Sequence, residues 1–409
     1  MNKLKIFVSA YACEPGLGSE IGVGWHWVLE MSKYFELWVL TRQSNRHTIE
    51  PWIGEHPEYS HIHFLYYDWP KWARCWKKGM RGVRTYYNIW QTCTNRIVKQ
   101  TMQENGIEIF HHLTYGNAMW KVSSYGQKQF FIWGPTGGLE TIPKAYSDYY
   151  KFRSRVIERV RRMAVNWMKR NIGFKKRCKN ADLILCKTDI TRMQIPAKYR
   201  DKAILFTDVA VDEKQMAQTL SIQKNNCTEF VAVGRLDSWR GFDLAIEAMA
   251  MAVKQNKQIH LTIIGRGTDE KRLKQIISEY NLENFVTMAG NVDMETYYNY
   301  MQKSDAVINA SLKEGAVTVS FDSMAMGKPL VCIDTTGYTR YFSSDYAMIV
   351  QRESRADTIR HLSDGILALT DESRRKEMGE RARQAGKQFT WQTRGEEIHR
   401  TIIEAWNKR

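Results

Sequence analysis

FVAVGRLDSWRGFDLAIEAMAMAV, residues Phe230 to Val253, sets a short β-branched run, a glycine-marked turn and an amphipathic stretch in succession. Phe230–Gly234 reads as a strand. From Phe242 to Val253, apolar Leu244, Ala245, Ala248 and Met249 recur at i, i+1, i+4 and i+5, the spacing of one helix face. The same rhythm extends in both directions. Toward the N-terminus, strands are expected at Leu4–Ala10, Glu36–Thr41, His61–Tyr66, Ile107–His111, Gln129–Trp133, Asp182–Cys186 and Ala203–Phe206. Toward the C-terminus they are expected at His260–Ile264, Phe285–Met288, Ala306–Asn309 and Leu330–Ile333. Strands alternating with longer helical stretches specify an α/β chain with parallel, doubly wound sheets.

Length and composition agree with more than one such sheet. At 409 residues the chain suits two or three domains. Hydrophobic residues make up 43% and charged residues 25%, which excludes disordered and fibrous classes. No window approaches the roughly 18 consecutive apolar residues of a membrane span. The polar stretch from Asp212 to Thr228 precedes a fresh strand and marks a boundary. The expected division is an N-terminal domain over 1–212, a C-terminal domain over 213–385 and a helical tail over 386–409. Seven cysteines with no Cys-x-x-Cys spacing argue against a zinc module or a disulfide framework and suit a reducing cytoplasm.

In doubly wound sheets, ligands sit beyond the carboxyl ends of the strands, and five strand-end loops carry unusual residues. After the first strand, Gly16 and Gly18 allow close backbone approach and Glu20 opens a helix. The spacing is not Gly-x-Gly-x-x-Gly, so a dinucleotide site is disfavoured. His111 and His112 end another strand, where an imidazole can orient a hydroxyl or carry a proton. Trp133 to Glu140 contains Gly137, Gly138 and a carboxylate suited to sugar hydroxyls. Arg235 and Arg240 flank a turn into a helix, an arrangement that suits a diphosphate. In the fifth loop, Glu314 ends a strand and Gly315 leads to a helix containing Asp322; the N–H groups of Ala316 and Val317 would meet a phosphate.

These residues resemble the family 4 glycosyltransferases, retaining enzymes of the GT-B fold, over nearly the whole chain. The likeness is most specific in Gly234–Asp243, Ile264–Gly267, Met288–Gly290 and Glu314–Pro329. Ala12–Trp25 and Trp133–Glu140 resemble members that build capsular or O-antigen-type polysaccharides. The resemblance implies two Rossmann-like domains facing across a cleft, with a C-terminal helix packing back on the N-terminal domain. It assigns the donor diphosphate to Arg235 and Arg240, donor-sugar hydroxyls to Glu314 and the ribose to Asp322. Asp322 departs from the family's glutamate and is one methylene shorter. Gly265, Arg266 and Gly290 resemble the surroundings of the base, and His111 or His112 would touch the transferred sugar. The acceptor falls to Glu20, Gly137, Gly138 and Glu140. No Asp-x-Asp occurs, so no metal or cofactor is expected, and arginines with helix dipoles would neutralise the leaving diphosphate. The donor would be a UDP- or GDP-sugar. An epimerase of the same fold, or a basic scaffold or nucleic-acid-binding protein, are the alternatives.

The net charge of +16 is local. Residues 66–99 hold eight Lys or Arg against Asp68 alone, with four tryptophans, and residues 151–179 hold twelve against Glu158 alone. These surpluses exceed the net charge, so the rest of the chain is slightly acidic. Basic residues interleaved with tryptophan suit the headgroups of an anionic membrane. The expectation is therefore a peripheral enzyme at the cytoplasmic face, acting on a lipid-linked glycan rather than on nucleic acid.

Overall fold

Thirteen strands form two all-parallel sheets among the described residues. The computed structural model describes residues 3–77, 82–123, 129–216, 227–314, 317–335 and 337–409. The chain begins with β1 (Lys5–Ser9), α1 (Ser19–Ser32), β2 (Glu36–Arg42), α2 (Arg46–Glu55), β3 (His63–Tyr67), α3 (Val83–Cys93) and α4 (Asn95–Glu104). It continues with β4 (Ile109–His112), β5 (Phe130–Thr136), α5 (Lys144–Ser147), α6 (Phe152–Met168), α7 (Ile172–Asn180), β6 (Leu183–Cys186), α8 (Asp189–Gln194) and β7 (Ala203–Leu205). Then follow α9 (Glu213–Met216), β8 (Thr228–Val233), α10 (Phe242–Val253), β9 (Ile259–Ile264), α11 (Glu270–Glu279), β10 (Val286–Gly290) and α12 (Met294–Lys303). The last elements are β11 (Ala306–Asn309), α13 (Thr318–Ala325), β12 (Leu330–Ile333), β13 (Ala347–Val350), α14 (Arg355–Ala368), α15 (Glu372–Gly386) and α16 (Trp391–Asn407).

Every strand expected from sequence is present, with ends shifted by three residues or fewer. β13 is the addition. It becomes a strand through pairing with β12, from Leu330↔Ala347 to Ile333↔Val350.

The first sheet runs β3-β2-β1-β4-β5-β6-β7 and the second β10-β9-β8-β11-β12-β13. In each, the chain winds outward from its first strand and then returns to that strand's other side. The order therefore reverses between β1 and β4 in one sheet and between β8 and β11 in the other. At such a reversal the two loops diverge above and below the sheet and leave a crevice at the strands' carboxyl ends.

The chain groups into two units. Unit 1 comprises Met1–Leu139, Asn166–Asp208 and Trp391–Arg409; unit 2 comprises Glu140–Val165 and Val209–Thr390. This differs from a single cut at residue 212. Residues 140–165, with α5 and most of α6, belong to unit 2, because their polar groups bond there: Tyr146 Oη donates to Glu353 O at 3.0 Å, and Glu158 pairs with Lys313. In unit 1, α16 lies on α1, where His26 stacks on Trp391 and Tyr34 on His399 at ring separations of 4.8 and 4.6 Å.

In unit 2, α10 is buried along almost its whole length because α11 and α14 both pack on it. Its one buried carboxylate, Asp243, accepts from Arg272 at 2.8 Å and from Arg355 at 3.3 Å, and Arg355 also pairs with Glu247. A charge this deep persists only when paired, so the network fixes the helix that follows the Arg235–Arg240 loop.

Candidate active site

In unit 2 the reversal lies between β8 and β11, and the loops after these strands carry Arg240 and Glu314. The two loops are knit together: Leu312 N donates to Trp239 O at 3.0 Å. Gly241 has φ +68°, and a Cβ there would sit 1.9 Å from Ala310 O, so only glycine lets the loops approach this closely. Arg240 forms an ion pair with Glu314, whose side chain is 9% exposed, and its guanidinium stacks on Trp239 at 4.4 Å. Arg235 is more exposed and pairs with Asp237, its Nε donating at 2.8 Å.

On the neighbouring strands, Gly265 N donates to Gly290 O at 2.7 Å, and the exposed Arg266 accepts from Leu236 N at 3.0 Å through its carbonyl. Val317 is the buried residue that precedes α13, whereas Gly315 and Ala316 lie outside the described residues.

Asp322 lies on α13. It is 3% exposed, and its carboxylate accepts the Tyr297 hydroxyl from α12 at 2.6 Å. Burial, with Asp212 nearby, pushes this carboxyl up to about 7. One of its carboxylate oxygens is thus engaged by a neighbouring helix within the unit.

Lys313, absent from the sequence-based set, adjoins this loop. It is buried beside Glu158 at 2.5 Å, and burial together with Arg161 pulls its ammonium down to about 8. Glu140, expected with the unit 1 loops, is in unit 2: Arg161 Nε donates to its carbonyl at 3.2 Å, and its charge is felt by Lys313. Lys313 directly precedes the motif glutamate, which was the available signal.

In unit 1 the reversal lies between β1 and β4, and Ala12 N bridges the crevice to Thr114 Oγ1 at 3.0 Å. Gly16 and Gly18 lie in the β1 loop, Gly16 with φ +73°. Glu20, in the first turn of α1, accepts backbone N–H groups of Tyr115 and Gly116. Burial raises its pKa, while Lys187 opposes the rise and Asp208 adds to it. Lys187 and Asp208 are themselves an ion pair. Sequence reasoning missed both, although each follows the end of an expected strand. Gly137 and Gly138 join this edge, since Gly137 N donates to Gly116 O at 2.7 Å. A Cβ on Gly138 would lie 2.5 Å from the Asn117 side chain. Half-buried Tyr115 and Trp120 stack with Tyr87 nearby, an aromatic platform also missed from sequence.

Both histidines are buried. His111 Nε2 donates to Gly134 O at 2.7 Å and its ring meets Trp27 of α1, whereas His112 Nε2 lies 3.1 Å from the Tyr87 hydroxyl of α3. They therefore point to opposite faces of the sheet. Burial holds them down to about 4 and about 3 respectively, so near pH 7 both are neutral imidazoles, each with a single ring proton. Neither Nδ1 has a hydrogen-bond partner among the described residues.

Among the described residues, no three His, Cys, Asp or Glu side chains converge as a metal site. No described helix is long and apolar enough to cross a membrane.

Comparison with known proteins places this geometry. Residues 213–385, which lie within unit 2, match the family model described as Glycosyl transferases group 1. Over 161 residues the chain is 29% identical to N-acetylgalactosamine-N,N'-diacetylbacillosaminyl-diphospho-undecaprenol 4-alpha-N-acetylgalactosaminyltransferase of Campylobacter jejuni, covering 39% of this chain and 42% of that one. The chain spans between 28% and 61% of the length of the first curated relatives it matches. The fold is GT-B. WaaG, a glycosyltransferase involved in lipopolysaccharide biosynthesis, superposes with TM-score 0.62 at 14% identity over 97% of this chain and 99% of that one. Anabaena Alr3699/HepE in complex with UDP superposes with TM-score 0.60 at 16% identity, over 98% and 100%.

Proposed function

We propose that the chain is a retaining family 4 glycosyltransferase that moves a sugar from a UDP- or GDP-sugar to a lipid-linked glycan, without metal or cofactor. Its work would lie in cell-surface polysaccharide assembly, capsular or O-antigen-type, at the cytoplasmic face of the membrane. The observation that carries this reading is the Arg240–Glu314 pair at the strand reversal of unit 2, inside the segment matched by the family model.

The chemistry follows from that pair. A diphosphate offers more charge and more acceptor oxygens than one carboxylate, so it displaces Glu314 from the Arg240 guanidinium. Glu314, released, accepts hydroxyls of the donor sugar. As the glycosidic bond to the diphosphate breaks, negative charge grows on the leaving oxygen, and Arg240, with Arg235 at the loop's outer edge, stabilises it. The base lies by Gly265, Arg266 and Gly290, and the phosphates lie by Val317 at the start of α13. Asp322 acts from behind this helix, through Tyr297, rather than on the ribose. In unit 1, Glu20, Gly137 and Gly138 receive the acceptor. A neutral imidazole of His111 or His112 orients a hydroxyl without exchanging its proton; the acceptor oxygen bonds the anomeric carbon on the face the diphosphate leaves, and the acceptor's proton passes to the leaving diphosphate oxygen.

The test is sugar transfer to membrane-extracted lipid-linked glycan, after a thermal-shift screen of UDP, GDP and ADP to fix the base. Arg240→Ala and Glu314→Gln should each lower kcat/KM by roughly 100-fold, the scale of one transition-state electrostatic contact. EDTA should leave the rate unchanged. Full transfer by both variants, or conversion of the nucleotide sugar without any acceptor, would overturn the assignment.

A further inference from the structure

α6 presents an apolar face away from its own unit. Phe152 is 80% exposed, Val160 59% and Met163 65%, with Val156 also exposed. At 100° per residue these four fall within about 80° of arc, on a helix where such a stripe ordinarily faces a core. The opposite face is already occupied. Glu158 is buried against Lys313, Ser154 Oγ lies 3.2 Å from Ser238 Oγ, and Arg161 and Arg162 donate to the carbonyls of Glu140 and Ile142. The helix is thus anchored from within, and its outward stripe is not a core face awaiting the rest of unit 2.

Charge borders the stripe. Arg153 lies along one edge, and Arg155 and Arg159 along the other. On the second side a hollow of about 480 Å³ opens toward α5, lined by Lys144, Arg155, Arg159 and Arg162, with Asp148 the one carboxylate. None of these four cations is in an ion pair among the described residues. Arg155 is held in place by donating to Asp148 O at 2.7 Å and to Tyr150 O at 3.2 Å. A hollow of net positive charge beside an exposed apolar stripe complements an anionic phospholipid at both its parts, phosphate and acyl boundary.

We propose that α6 is an interfacial helix: its stripe enters the headgroup–acyl boundary of an anionic membrane, and the adjoining hollow takes a lipid phosphate. This rests on the membrane-facing part of the reading above and narrows it from two basic segments to one element. Segment 66–99 is less suited to the role. Its Trp72 and Trp76 are exposed, but Trp90 is fully buried with Nε1 donating to Tyr67 O, Trp69 Nε1 is turned to Cys93, and among the described residues no apolar stripe like that of α6 is formed by the two that remain.

The experiment is co-sedimentation of the full chain with phosphatidylcholine vesicles, with and without about 30 mol % phosphatidylglycerol. Two variants are compared, Val156→Ser/Val160→Ser/Met163→Ser in the stripe and Arg155→Gln/Arg159→Gln in the hollow. Wild type should bind only the anionic vesicles. Each variant should bind them at least roughly ten-fold more weakly, and the residual binding of the stripe variant should vanish in salt. Millimolar inorganic phosphate should not compete, because the apolar contact requires a lipid. Undiminished vesicle binding by both variants would overturn the proposal. So would release by phosphate alone, or a wild-type dimer that the stripe variant makes monomeric with vesicle binding intact, since the stripe would then join two copies. Nucleotide-induced thermal shift, measured on the same proteins, verifies folding. Its absence in wild type would count against the transferase reading while leaving the vesicle result standing.

Discussion

Replacing Asp322 by asparagine isolates one buried charge and yields a signed, pH-dependent result. The carboxyl lies inside unit 2 with the Tyr297 hydroxyl on one oxygen, and burial lifts it from its ordinary 3.8 to about 7. The folded chain therefore holds the proton more tightly than the unfolded chain. The stabilisation this confers is complete below about pH 4 and is lost as pH climbs toward 7. At about 1.4 kcal/mol per pKa unit, the whole effect is about 4 kcal/mol. More than half of it falls between pH 5 and pH 8. Asparagine keeps an acceptor for Tyr297 but has no charge to bury. In urea unfolding followed by circular dichroism, Asp322→Asn should gain roughly 3 kcal/mol on wild type between pH 5 and pH 8. Titrating groups that do not interact with Asp322 cancel in that comparison. An equal stability gap at the two pH values would refute the reasoning and return Asp322 to an open, ligand-facing position.

Two further outcomes are expected. Lys187→Met leaves Asp208 and Glu20 without their shared cation and should cost about 3 kcal/mol in urea unfolding; adding Asp208→Asn should recover most of that, and no recovery would mean the pair is not what holds this edge. Gly241→Val and Gly16→Ala both place a side chain at positive φ, but only the first meets backbone, at Ala310 O. Gly16→Ala should cost about 1 kcal/mol and Gly241→Val several times more, with loss of the nucleotide-induced thermal shift; equal costs would contradict the close approach of the two loops.

Much of the site is legible because its position follows from strand ends, and strand ends follow from local patterning. Arg240 and Glu314 are 74 residues apart in sequence, yet each follows an expected strand, and the reversal of strand order brings them together. The same rule applied to every strand would have found Lys187 and Asp208. The partner of Asp322 is not legible, because spacing on a helix does not say which neighbours its residues meet, and Tyr297, 25 residues earlier, supplies the bond. For the histidines, adjacency implies opposite faces, but that both faces are covered depends on α1 and α3.

By itself, the sequence determined the α/β class, the order of the expected strands and the loops that carry chemistry, because periodicity and glycine placement act within a few residues. Composition also located the charge surplus. Tertiary structure alone decided that residues 140–165 belong to unit 2, that Asp322 turns inward and that α6 shows its apolar stripe to the outside. Each of these depends on which side of an amphipathic element its neighbours cover. Glu158 is the one acid among twelve bases in 151–179, and its burial against Lys313 orients α6 with the apolar residues outward.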